Sequence, residues 1–412
     1  MKIFSGRAAE TRVRKIAARS SQLDAVEVPV RRIVSEVKLN GDAALRKYSQ
    51  RWDDLGKQPF RIPERDLNRA WVSADPKLKS ALTQAAVNIR QFCEWQKPKE
   101  WQRPNKGISV GQLVRPLESV GCYVPGGRHP LVSTLLMTVI PAQVAGVKDI
   151  RVVSPQPRPE VMAAAGMLGI NQFYRVGGAQ AIAALAYGTK SMGRVDKIVG
   201  PGNSYVTAAK KLVSFDCAID MLAGPTEVLI LSDNGDANFI AADLVAQSEH
   251  DPQALAVFVT TSVVLAKAVV SLAKVMSAKN PIATQALKAN GSVLIADSRK
   301  QAQAWANQMA LEHITLDAKD LPHIRNAGSV FVGDYSPQAA GDYAAGPNHV
   351  LPTAGAARFR GGLSVLDFVK LISVQELSSR GLQSLAPVIE LLATTEGLQA
   401  HADSIRIRSP HA

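Results

Sequence analysis

The chain has 412 residues, 46% of them apolar and 20% charged, with a formal net charge of +13 and three cysteines. That length predicts two to four domains, and that composition a globular protein with a real core. The longest apolar stretch, residues 135–147, is broken by Thr138, Pro141, Gln143 and Gly146, so no bilayer span is expected; nor does Met1-Lys-Ile-Phe-Ser-Gly carry the apolar region of a secretory signal.

In chain order, Val26, Val30, Ile33, Val34 and Val37 recur at helical spacing over residues 24–37, with the regular helix expected to begin at Pro29. Gly41-Asp42 interrupts it, a helix resumes from Ala43 to Arg51, and the first 110 residues read as mostly helical. From Val120 the pattern becomes short β runs separated by helices. The expected strands are 120–124, 150–153, 173–176, 197–199, 228–231, 254–259, 293–296 and 330–332. Helices are expected at 135–144, 160–167, 179–186 and 301–310, and residues 364–401 read as helix again. Strands alternating with helices predict parallel sheets covered by helices, and this many units predicts two sheets.

Cys93, Cys122 and Cys217 are too scattered for a disulfide framework or a CxxC zinc site, so the cytoplasm is the expected compartment. Cys122 has no neighbouring base and reads as a small packing residue. The positive charge would suit a nucleic-acid partner, but its densest cluster is only Arg12, Arg14, Lys15 and Arg19, with no aromatic-interleaved basic motif. It reads as a solvated basic surface, which also suits an anionic dinucleotide.

Four stretches carry chemistry. Phe239, Ile240, Ala241, Ala242, Leu244, Val245 and Ala246 predict a helix buried nearly all round, yet Asp243, Gln247 and His250 share one face of it. Buried polar groups need partners. The stripe is either a metal site, with Gln oxygen and His nitrogen as donors, or a hydrogen-bonded core network. Asp251-Pro252 is expected to end this helix. Glu312-His313 places a carboxylate and an imidazole at a strand entrance, two different proton acceptors. Asp342 and His349 sit in a glycine-rich loop as possible metal donors. Glu396 and His401 are polar residues on an otherwise apolar C-terminal helix. Four of the seven histidines fall in these stretches, while His129, His323 and His411 do not, which favours one shared site.

For dinucleotide binding, Gly200-Pro-Gly202-Asn-Ser-Tyr205 fails the GxGxxG pattern at its third glycine. Gly126-Gly127 and Gly177-Gly178 also follow strands. These turns are either a non-standard nucleotide pocket or simply tight turns.

Taken together, these segments resemble the histidinol dehydrogenase family. The matching blocks are Gly121-Cys-Tyr-Val-Pro-Gly-Gly127, Gly177-Gly-Ala-Gln-Ala-Ile-Ala-Ala-Leu185, Val195-Asp-Lys-Ile-Val-Gly-Pro-Gly-Asn203, Asp220-Met-Leu-Ala-Gly-Pro-Thr-Glu-Val228, Gln247-Ser-Glu-His250, Leu311-Glu-His313, Gly341-Asp-Tyr343 and Asn348-His-Val-Leu-Pro-Thr353. They span the chain from about residue 24 to His401.

The resemblance implies an NAD-dependent four-electron oxidation of L-histidinol to L-histidine through an enzyme-held aldehyde, the last step of histidine biosynthesis. It implies one zinc per subunit on Gln247, His250, Asp342 and His401, with Glu312 and His313 as the acid–base pair. His313 would take the alcohol proton in each oxidation, and Glu312 would activate water. Substrate contacts would come from Thr226, His349 and Glu396 together with Gln247, His250, His313, Asp342 and His401. Tyr123, Gln180 and Asn203 match cofactor contacts. Asp243 has no role in the transfer and reads as a partner orienting the metal donors.

The fold implied is α/β: two incomplete Rossmann-like parallel-sheet domains with helical N-terminal and C-terminal segments, in a homodimer. The expected parts are an arm (1–21), a discontinuous metal and acid–base domain (22–122 and 228–363), a cofactor domain (123–227) and a C-terminal segment (364–412) completing the partner's site. Departures from the family pattern are slight: Thr226 where serine is common, Leu222 for a frequent proline, and a somewhat short chain. Two other readings remain: a relative on this scaffold oxidising another polar alcohol, and a basic nucleic-acid-binding protein with a structural zinc. The expectation is no nucleic acid and no membrane.

Overall fold

The structure is a computed structural model and describes residues 1–20, 23–126 and 131–408. Gly127, His129 and His411 lie outside the described residues. Two six-stranded sheets form the framework. In the first, Ser119–Tyr123, Asp149–Val153, Gln172–Tyr174, Lys197–Val199 and Ala218–Ile219 run parallel. Their spatial order is third, second, first, fourth, fifth, that of a doubly wound sheet. The second sheet repeats this order with Glu227–Leu231, Leu255–Thr260, Ser292–Ile295, His313–Leu316 and Ser329–Val332. Each sheet gains an edge strand from nearer the N-terminus: Arg61–Ile62, antiparallel, in the first, and Lys2–Ser5, parallel, in the second. The expected strands lie within two residues of those observed. Such strands are buried on both faces and read as continuous apolar runs, as in the wholly buried Glu227–Leu231.

Helices cover both faces. On the first sheet, Val132–Ala145 and Pro159–Met167 pack on one side under Glu64–Ser73 and Pro76–Gln96. Gly178–Tyr187 and Ser204–Val213 pack on the other, under Asp24–Asn40 and Asp42–Trp52. On the second, Gly6–Ala17 and Arg299–Met309 lie opposite Ala237–Ser248, Val263–Ser277 and Pro281–Ala289. A smaller antiparallel sheet of Trp101–Asn105, Ile108–Pro116 and Val369–Leu377 carries the C-terminal helices Ser379–Thr395 and Gln399–Arg406.

The structure corrects several expectations. Residues 24–96 belong with the first sheet, not the second: Val30, Ile33, Val34 and Val37 pack on Ile182 and Ala183, and Arg61–Ile62 pairs with Phe173–Tyr174. The boundaries at 122/123 and 227/228 each cut a strand. The arm 1–21 contributes a strand and a helix to the second sheet. The first 110 residues thus hold strands as well as helices, and residues 369–377 form a strand because they pair along their whole length with 108–116. The helix expected to begin at Pro29 begins at Asp24. Pro29 and Ala25, whose carbonyl loses its donor, are both exposed, so solvent satisfies that carbonyl.

Candidate active site

The acid–base candidates stand at the N-terminal ends of two adjacent strands of the second sheet. Glu312 immediately precedes the strand His313–Leu316, and Thr226 precedes Glu227–Leu231. Glu312 and His313 are both buried. Glu312 Oε2 accepts from Thr226 Oγ1 and from the Glu227 N–H, both at 2.8 Å. His313 Nδ1 lies 3.1 Å from the Glu227 carbonyl, which can only accept, and 3.1 Å from Gln247 Nε2. When the ring is neutral and its Nδ1 proton is given to that carbonyl, the lone pair is on Nε2. Nε2 faces Asp342 Oδ1 at 3.5 Å and is buried without a hydrogen-bond partner among the described residues. Burial alone would lower the His313 pKa, but the Glu312 and Asp342 carboxylates outweigh it and raise it to about 10.

Gln247 is in the last turn of Ala237–Ser248, which runs back from the C-terminal to the N-terminal ends of the strands. Its Nε2 donates to Thr226 Oγ1 at 2.8 Å, leaving Oε1 without a hydrogen bond among the described residues. His250 lies two residues beyond that helix and is exposed. The helix therefore ends before Asp251-Pro252, and it is half exposed, with Phe239, Ala242 and Ala246 on its outer side. Asp342, on Gln338–Tyr343, is close enough to His313, His349 and His250 to feel all three. Burial would raise its carboxyl pKa, but those imidazoles hold it below the ordinary value. His349 donates from Nδ1 to the Asp342 carbonyl at 2.7 Å, and its Nε2 lies 3.4 Å from Thr134 Oγ1. Burial lowers the His349 pKa, keeping the ring neutral.

Asp243 does not join this group. It sits one turn before Gln247, about 6 Å along the helix axis, against Leu231, Leu316 and Gly333 at the opposite ends of the strands. Its reading as an orienting partner is therefore wrong. Glu396 and His401 are exposed on the C-terminal helices, and one chain does not bring them to the rest. Among the described residues, no group of three or more His, Cys, Asp or Glu stands ready to hold a metal.

The cofactor candidates gather at the C-terminal ends of the first sheet. Tyr123 closes its central strand, and its phenol oxygen accepts from the Gly178 N–H at 3.0 Å. Gln180 is buried in the following helix, its Nε2 donating to Asp53 Oδ2 at 3.0 Å. Its Oε1 is, with His313 Nε2, one of four buried side-chain polar atoms lacking a partner among the described residues. Asn203 caps Ser204–Val213, Oδ1 accepting from Tyr205 and Val206 N–H. Gly178 has φ +63°, and a Cβ there would fall 2.7 Å from Gln180 Oε1; one on Gly200, at φ +113°, would fall 2.2 Å from the Tyr123 carbonyl. Cys122 lies buried beneath, its thiol pushed up to about 12 by burial, which makes it a packing residue and not a nucleophile.

A family model for histidinol dehydrogenase matches residues 16–409. The chain belongs to the histidinol dehydrogenase family. It is 45% identical to the histidinol dehydrogenase of Methanosarcina barkeri over 97% of this chain and 95% of that one. With the Vibrio vulnificus histidinol dehydrogenase it shares 43% identity over 93% of this chain and 92% of that one. The crystal structure of histidinol dehydrogenase from Elizabethkingia anophelis superimposes with a TM-score of 0.94 and 34% identity, covering 99% of this chain and 98% of that one. A histidinol dehydrogenase fold thus carries both clusters of candidate residues.

Sequence reasoning missed several groups around them. Glu227 is a carboxylate opening a wholly buried strand, which was itself the signal. Lys210 and Asp220 form a buried ion pair bracketing Gly200: Lys210 donates to its carbonyl at 2.9 Å and Asp220 accepts from its N–H at 2.7 Å. Asp53 also accepts from the Gly177 N–H at 3.2 Å, a partner too distant in the chain to be anticipated.

Proposed function

We propose that this chain oxidises L-histidinol to L-histidine with two NAD+, in the cytoplasm, as a homodimer with one Zn2+ per subunit. The observation that carries the reading is the buried Nε2 of His313, without a hydrogen-bond partner among the described residues and facing the Asp342 carboxylate at 3.5 Å, on a ring whose Nδ1 side meets Glu312 and Gln247. A buried nitrogen left without a partner needs a ligand to bond it.

The donors fit zinc: an amide oxygen, imidazoles and a carboxylate, with Gln247, His250 and Asp342 from one chain and His401 from its partner. Bound zinc would hold the imidazole and amino nitrogens of the substrate, and a divalent charge on Asp342 would offset the carboxylate field that raises His313. Tyr123, Gln180 and Asn203 fit NAD+: an orphaned acceptor, two glycine turns that leave no room for a Cβ, and two helix N-termini that favour a pyrophosphate. NAD+ held there would supply the hydride acceptor for each oxidation. His313 Nε2 accepts the alcohol proton in the first. Glu312, held by Thr226 and the Glu227 N–H, then takes a proton from the water that adds to the aldehyde, while His313 returns its proton to the aldehyde oxygen and is again a base. His313 accepts the hydrate proton in the second.

Glu396 is assigned to the substrate ammonium, with Thr226 and His349 as further contacts. The segment bearing Glu396 and His401 exposes Leu371, Ile372, Val388, Leu391, Leu392 and Leu398, apolar surface suited to a partner subunit. Three buried free thiols suit a reducing compartment, and no helix among the described residues is long and apolar enough to cross a membrane.

The test is NADH formation from L-histidinol by zinc-loaded protein, with and without chelator; absence of turnover would refute the reading. Mixing inactive His250→Ala and His401→Ala subunits should restore part of the activity. No recovery in demonstrated hybrid dimers would refute the shared site.

A further inference from the structure

One residue's peptide groups touch both members of the acid–base pair. The Glu227 N–H donates to Glu312 Oε2 at 2.8 Å, and the Glu227 carbonyl is 3.1 Å from His313 Nδ1. Where Glu227 sits therefore fixes how both groups are aimed. Its side chain is gripped from the opposite end of the sequence. Arg19 donates from Nε and Nη2 to the two carboxylate oxygens, the two-pronged fit that only a guanidinium makes. Arg19 Nη1 also donates to the Ile16 carbonyl at 2.9 Å and the Met309 carbonyl at 2.7 Å, and Nη2 to the Ala310 carbonyl at 3.2 Å. Met309 and Ala310 end the helix that leads directly into Glu312. Glu227 Oε1 accepts in addition from the Ala354 N–H at 2.9 Å, at the end of the loop that carries His349. Both side chains are largely buried, Arg19 at 16% and Glu227 at 6% exposure. Of the basic cluster of the N-terminal arm, Arg14 and Lys15 are solvated, but Arg19 is not. Arg12 also turns inward, to Ser292 Oγ at 2.8 Å and the Asn290 carbonyl at 2.9 Å.

We propose that Arg19 is a positioning residue for the acid–base pair, holding Glu227 so that its peptide groups aim Glu312 and His313. The inference rests on the proposed roles of those two residues. Arg19 joins the arm, the chain entering Glu312, and Glu227 at a single guanidinium. Misplacing a reacting group by 1 Å costs up to about a hundredfold in rate.

The test compares Arg19→Met, Arg19→Lys and the double variant Arg19→Met/Glu227→Gln with the wild-type holoenzyme. Arg19→Met leaves a buried carboxylate unpaired and should lower thermal stability as well as kcat. The double variant removes that charge, so stability should recover while kcat stays about 10- to 100-fold low, with zinc content and the KM for NAD+ unchanged. Arg19→Lys, which keeps the charge and loses the fork, should fall between. Wild-type kcat in the folded double variant would overturn the proposal, leaving only a structural ion pair. A readout independent of turnover is the His313 ring in 15N-histidine NMR spectra: its Nδ1 signal should move in the double variant. An unmoved signal overturns the positioning role even if the wild type fails to oxidise histidinol, a failure that would refute the proposed function itself.

Discussion

In the sheet of residues 119–219, the groups assigned to NAD+ lie at the C-terminal ends of the strands, where the helices beginning at Gly178 and Ser204 present their N-termini. In the sheet of residues 227–332, with the same strand order, the groups assigned to the chemistry lie at the N-terminal ends. There they meet helix C-termini: Gln247 in the last turn of one, Met309 and Ala310 closing another. Helix N-termini carry partial positive charge and C-termini partial negative charge. The first arrangement suits an anionic pyrophosphate, the second a cation and a substrate ammonium. The crevice that strand order alone would nominate in the second sheet is filled: Arg299 lies there, 3.0 Å from both Asp233 and Asp317 and bonded to Asp320. Strand order therefore locates two crevices, and the side chains decide which end of each sheet is used.

Substitutions can break this division. The largest effect is expected at His313. His313→Gln removes the group placed to take the alcohol proton, and turnover should fall about 100- to 10,000-fold, with NAD+ affinity, measured by titration calorimetry, unchanged. A parallel loss of NAD+ binding would mean that the two sheets do not divide the work. Arg299→Met takes from the buried Asp320 carboxylate the cation it shares with Asp233 and Asp317, leaving only the exposed Lys319 at 3.6 Å from Asp317, and urea denaturation should show a loss of about 3–5 kcal/mol. The folded fraction should keep full kcat; reduced kcat would give this crevice a chemical role.

Asp53→Ala frees Gln180 and the Gly177 N–H and should weaken NAD+ about tenfold, the worth of one good hydrogen bond. Asp53→Asn keeps an oxygen in the same place and should bind as wild type. Equal weakening in both variants would exclude the hydrogen-bond account. The smallest effect concerns Asp243, whose pKa burial pushes up to about 6. The folded state then holds this proton more tightly than the unfolded chain, where an aspartate titrates near ~3.9. The stability from this group is complete below about pH 4 and is lost as pH rises through about 6. Asp243→Asn should therefore be more stable than wild type at pH 8, by about 1–2 kcal/mol after allowance for solvent contact, and equal to it at pH 4. Destabilisation at pH 8 would show that the carboxylate has a partner there.

Strands of the two sheets were legible because buried parallel strands are uninterrupted apolar runs, as in residues 228–231 and 255–259. The grouping of elements was not, because the face Val30, Ile33, Val34 and Val37 shows that a helix is buried but not against which sheet. Glu312, His313 and Gln247 were legible as polar residues in apolar surroundings. Asp243 met the same criterion and misled, since helical periodicity gives the face of a residue and not its height above the sheet. Arg19 meets Glu227, and Asp53 meets Gly177, across more than a hundred residues, and no local pattern carries that information.

The edge strand Lys2–Ser5 has a further consequence, for the order in which the molecule is made. Its partner, Ser292–Ile295, lies nearly three hundred residues downstream. The strands and covering helices of the first sheet all lie before residue 220 and can begin to collapse while the ribosome is still at work, although Val350, Leu363, Val365 and Phe368 join one face of that core only later. Lys2–Ser5 therefore waits unpaired until Ser292–Ile295 has been made, about seven-tenths of the way along the 412 residues. The arm that brings Arg19 to Glu227 is thus made well before the rest of its sheet and is placed late. An N-terminal fusion that delays its docking should slow maturation of the enzyme more than the same fusion at the C-terminus slows folding of this sheet.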